Sequence, residues 1–189
     1  MRWEDLFGDL ERQWDALAEA DRQAEIAERT RAEFARVTLA DRLRGSEGRP
    51  VVLAVRSGQD VAGELARVGS DFLLLATPRQ EYVVPLAAIA SLRGLGPAAL
   101  SADAAGPVRA RLGLGSVLRR IAADRSTVAL VQDDGPGVTG TLQRVGADFV
   151  ELLEHPVDEV PRSAAGRGAL VVPFAAISML RREGPAGAG

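Results

Sequence analysis

Apolar positions along this chain change their period near residue 38. From Trp3 to about Arg36 the sequence is polar and helix-favouring, with no Pro and a single Gly at position 8. Within it Trp3, Leu6, Leu10, Trp14 and Leu17 recur at three- and four-residue steps, which places them on one face of a helix. Ala24, Ala27 and Phe34 continue a weaker stripe. Thr38-Leu-Ala-Asp41 then sets a threonine three residues before an acid, a capping-box-like start for a short helix ending near Leu43. Beyond it the pattern turns to short β-branched and apolar runs broken by Gly, Pro and Asp, which reads as strands joined by tight turns.

These runs say nearly the same thing twice. Val51–Leu75 and Val128–Leu152 agree at 12 of 25 positions with a constant offset, and Val83–Leu92 and Val171–Leu180 agree at 7 of 10. One small structural unit therefore occurs twice. In the first unit Val51–Arg56, Val61–Arg67 and Asp71–Leu75 predict three strands, and a fourth ends at Val84. A helical turn over Leu86–Ile89 follows, then a fifth strand through Leu92. The second unit copies this, with Ser116 opening its short helix. Pro85 and Pro173 cannot donate to a ladder and stop the fourth strands. Gly63 and Gly140 fall mid-strand, where a missing side chain permits the bend of a small barrel.

The fold class so predicted is mainly β with α: an N-terminal helical segment followed by two five-stranded antiparallel barrels, each opened by a short helix. Its parts are an amphipathic helix over 1–37, a barrel over 38–96, a linker over 97–115 and a second barrel over 116–183. The second barrel carries a long exposed loop at 154–168, and a disordered tail covers 184–189.

Helix and five strands with the motif Val-x-Leu…Gly-x-x-Val-x-Gly-x-Leu…Asp-Phe resemble the Sm/LSm family. The matching residues are Val51, Leu53, Gly58, Val61, Gly63, Leu65, Asp71 and Phe72, and again Val128, Leu130, Gly135, Val138, Gly140, Leu142, Asp148 and Phe149. The pairs Ala88-Ile89 and Ala176-Ile177 are similar to the Ala-Ile that follows Lys-His in the bacterial member Hfq. The resemblance covers residues 38–93 and 116–182, and the motif also occurs in other small barrels such as the PRC-barrel. It implies a tandem Sm-like barrel without the family's RNA contacts. The chain has no Asn to hold a base, and the Lys-His positions align with Leu86-Ala87 and Phe174-Ala175. The fold analogy transfers; the RNA site does not.

Composition narrows the function further. There is no Cys, which excludes disulfides, thiolate metal sites and cysteine nucleophiles. All 23 basic residues are Arg. No run of about 18 apolar residues is present, which argues against a membrane span. The opening MRWEDLFGDLERQW carries acids where a secretory signal has a basic end, so the expected location is cytoplasmic. Residues 1–44 hold 11 acids and 8 Arg, whereas residues 45–189 hold 15 of each. A nucleic-acid-binding domain usually carries a basic excess, and this one has none.

No chemistry assembles from the remaining motifs. His155 is the only histidine and lies in the acidic loop beside Glu151, Glu154, Asp158 and Glu159, which reads as a solvated loop rather than a metal site. Gly135–Thr141 imitates a phosphate loop without the lysine that mechanism requires. Gly113-Leu-Gly115 lacks the third glycine of a dinucleotide motif. Asp71 and Asp148 hold one repeat position and cap turns. The expectation is therefore no enzyme, no cofactor and no metal. Two readings remain. One is an assembly or adaptor protein whose helix face, Trp3, Leu6, Leu10, Trp14 and Leu17, binds a second copy or a protein partner. The other is an RNA- or DNA-binding regulator working through Arg67, Arg93, Arg144, Arg181 and Arg182 at matched strand ends. Net charge and an aromatic content of 4% favour the first, because single-strand binders rely on stacking platforms.

Overall fold

A computed structural model describes residues 3–106, 111–135, 137–155 and 169–183. The tail at 184–189 and nearly all of the 154–168 loop lie outside these residues. The chain divides into two compact units, 1–38 and 39–189.

The first unit is helix α1, Trp3–Phe34. Its polar surface is laced by ion pairs one turn apart: Arg22 with Glu19 at 2.7 Å, Arg29 with Glu25 at 2.7 Å and Arg31 with Glu28 at 3.0 Å. Such exposed pairs, screened by water, add little to the helix. Hydrogen bonds from Arg22 and then Gln23 hold the Glu19 carboxyl below its ordinary pKa of 4.5. What little that adds is present above the ordinary value and fades as acid protonates the group.

The second unit opens with α2 (Leu39–Arg44) and continues through β1 (Pro50–Val55), β2 (Asp60–Val68), β3 (Phe72–Ala76) and β4 (Gln80–Pro85). A 3-10 turn over Leu86–Ala88 leads into β5 (Ile89–Arg93). The linking segment carries a short helix α3 (Ala102–Ala105), whose Ala104 amide donates to Ser101 Oγ. The second repeat is α4 (Leu114–Ala123), β6 (Thr127–Gln132), β7 (Val138–Val145), β8 (Phe149–Glu154) and β9 (Leu170–Pro173), then a turn over Phe174–Ala176 and β10 (Ile177–Glu183). Helix α4 starts two residues before Ser116. Its first free amide, Leu114 N–H, donates to Asp71 Oδ1 at 2.7 Å, so the capping acceptor comes from the other repeat.

Both repeats make the same five strands, with a register shift at the same place in the second one, between Leu65 and Arg67 and between Leu142 and Arg144. Where two five-stranded barrels were expected, the strands form one continuous ten-stranded antiparallel sheet that does not close, in the order β5-β1-β2-β3-β4-β10-β6-β7-β8-β9. The repeats meet where β4 pairs β10. Gly63 and Gly140 allow neighbouring strands to come close. A Cβ on Gly63 would lie 2.9 Å from the Ala76 carbonyl oxygen, and one on Gly140 would collide with the Leu153 carbonyl.

The core crosses the junction in both directions. Phe72 and Val83 of the first repeat pack in one cluster with Leu114, Leu118, Ile121, Leu130 and Leu152 of the second. Val131 and Met179 of the second pack with Leu43, Leu53, Leu65 and Val84 of the first. Each side chain buried this way contributes about 1.5–3 kcal/mol. The matched phenylalanines differ: Phe72 is 2% exposed, while Phe149 is only partly buried. Phe72→Ala is expected to cost about 3–5 kcal/mol and Phe149→Ala clearly less, both in a single denaturation transition. Equal costs, or two separate transitions, would contradict the shared core.

Candidate functional site

At 100° per residue, Trp3, Leu6, Phe7, Leu10, Trp14, Leu17 and Ala24 of α1 fall within an arc of about 100°. Phe7, Trp14 and Leu17 are 58%, 71% and 61% exposed. The side chains of Trp3, Leu6 and Leu10 lie outside the described residues. Ile26 and Phe34 are equally exposed but point away from this arc, so the apolar face belongs to the first two-thirds of the helix. Phe7 was missed in the sequence pattern because a strict three-then-four count takes Leu6 in its place.

The five arginines do not converge. Arg67 and Arg144 sit on β2 and β7, five strand spacings apart in the sheet order, or about 24 Å along it. Arg93 lies on the terminal strand β5, opposite Val52. Arg181 and Arg182 sit at the junction, opposite Tyr82 and Glu81. Two of the five are already paired with acids: Arg144 with Glu151 at 2.7 Å, and Arg182 with Glu81 at 2.6 Å. A phosphate backbone would have to compete with those carboxylates. Arg67, Arg93 and Arg181 are exposed but far apart, so they offer single cations rather than a stripe.

A further basic residue, Arg56, does more structurally than any of these. It pairs with Asp133 at 2.8 Å and donates to the Ala175 carbonyl at 3.0 Å, and Ser178 Oγ donates to the same Asp133 carboxylate. This staples the end of β1 to the second repeat. Arg56 and Ala175 are 119 residues apart, which is why the sequence pattern does not show the staple.

Two of the hollows among the described residues bear on the repeats. The larger, about 740 Å³, crosses β5, β1, β2 and β3 and is lined by Pro50, Val51, Val52, Ala62, Gly63 and Ala76, with Glu64 and Arg93 among its polar groups. The second repeat fills the equivalent place. Buried Leu153 stands where the first has Ala76, and buried Thr141, bonded to His155 Nε2 at 2.8 Å, stands where it has Glu64. His155 is thus a hydrogen-bond partner within the sheet. The smaller hollow, about 440 Å³, lies at the repeat junction among Leu74, Val83, Val117, Ile121, Glu81 and Arg182. Among the described residues no three of His, Asp and Glu group to hold a metal ion. No described helix is long and apolar enough to cross a membrane.

Neither a protein-family model nor a curated protein matches this chain.

The scatter of the arginines leads to a direct expectation. Fluorescence anisotropy with labelled single-stranded RNA or DNA should show no saturable binding at low salt. Tight binding that weakens steeply with salt, and that Arg67→Glu, Arg144→Glu and Arg181→Glu together abolish, would establish the nucleic-acid reading instead.

Proposed function

We propose that this protein is a non-enzymatic assembly module: a duplicated Sm-like β body carried on an amphipathic helix that pairs with the same helix of a second copy. The observation that carries this reading is the exposed apolar face of α1, with Phe7, Trp14 and Leu17 each more than half exposed. Trp3, Phe7, Leu10, Trp14 and Leu17 follow one another at steps of four, three, four and three residues, the spacing of a coiled-coil seam. The next seam position is Asp21, so the apolar seam stops there and limits pairing to the first twenty or so residues. Two rows of such side chains, at about 1.5–3 kcal/mol each on burial, are enough to offset an association cost of about 4–15 kcal/mol. In this reading the body is the cargo or platform that the helix joins.

Light scattering on the full chain tests this. The native protein is expected to run as a defined oligomer, and Trp14→Ser with Leu17→Ser to run as a monomer with an unchanged circular dichroism spectrum. A native protein that is monomeric at all concentrations would remove the reading. Oligomers that survive the double substitution would place the contact elsewhere.

A further inference from the structure

A sheet that, among the described residues, ends in a strand with no further strand beside it on either side invites head-to-tail growth, and a duplicated unit invites it more strongly. The inner junction joins the fourth strand of one repeat to the fifth strand of the other. The strands left at the ends, β9 and β5, are a fourth and a fifth strand of the same unit. Copied onto them, the inner register sets Leu92 opposite Val171, Arg93 opposite Leu170 and Gly94 opposite Ala169.

We infer that the two ends are built against this copy, so that the body does not extend through its strand edges. Three differences carry the inference. The first is the length of the ladder. β10 runs through Glu183 and gives four rungs with β4, whereas β5 stops at Arg93, two residues sooner by the repeat. Gly94 adopts φ of 97°, and the chain turns back over α2, where Gly96 N–H donates to Ser46 Oγ at 3.1 Å and Leu100 N–H to the Asp41 carbonyl at 2.9 Å. Only two of the four rungs have strand on both sides.

The second difference is charge. The inner junction is fastened by Glu81 and Arg182 at 2.6 Å, and their counterparts at the ends are Ala169 and Gly94. The third is the surface beside the edge. At the inner junction Leu74 and Val83 face Leu112, Val117 and Ile121 around a shared hollow. At the outer edge Leu74 is replaced by Glu151, already paired with Arg144, so a docking copy would have to cover an ion pair. The cost of the blunted end is visible on β9, where Val171 is left 56% exposed while its counterpart Val83 is 6% exposed.

The test uses the full chain and two sets of substitutions across a concentration series in sedimentation velocity. Trp14→Ser with Leu17→Ser is expected to sediment as a monomer throughout, and Val171→Arg to leave the mass of the native particle unchanged. Concentration-dependent growth in the helix variant that Val171→Arg then suppresses would overturn the inference. A native chain that is monomeric throughout would end the helix reading and still support the blunted ends, so the two fail separately.

Discussion

The pairing of β4 with β10 is the contact on which the rest of this body depends. Each repeat alone is near the size at which a single core is marginal, and each would leave one long edge and a row of apolar side chains in water. Four rungs, from Leu180 opposite Val83 to Glu183 opposite Gln80, merge the two into one sheet. The same contact lets Asp71 cap α4 and lets Arg56 reach Asp133. It also explains why both hydrophobic clusters draw residues from both repeats. Neither half is a finished barrel because each finishes the other.

Duplication supplies two of everything, and the places where the copies disagree are the informative ones. Leu74 faces the junction and its copy Glu151 faces the free edge. Gly94 ends a strand that Arg182 continues. Ala76 leaves a hollow that Leu153 fills. The first two changes separate an inner surface from an outer one, as expected when identical units must pair once and then stop. The hollow beside Gly63 belongs to the first repeat.

Much of the fold was legible in the sequence because it depends on local rules. Strand period, the closing prolines and the turn chemistry gave all ten strands, since each is decided within a few residues. Which strands would join the repeats was not legible, because an edge strand and an inner strand share one alternation and differ only in what lies beside them. The start of α4 was missed for a related reason: its cap is Asp71, 43 residues away, not the nearby Ser116. The apolar spacing of α1 is a local pattern, and of the five residues it picks out Trp14 and Leu17 are exposed. The pairing of Arg182 was not legible, since its partner Glu81 is 101 residues distant.

Amide hydrogen exchange on the full chain tests the central claim most directly. If the inner junction is paired and the ends are blunt, the facing amides of β4 and β10 exchange as slowly as those between β1 and β2. The outward amides of β5 and β9 then exchange rapidly. Fast exchange at Val83 and Arg182, or protection at Leu92 and Val171 equal to that of the junction, would contradict the account.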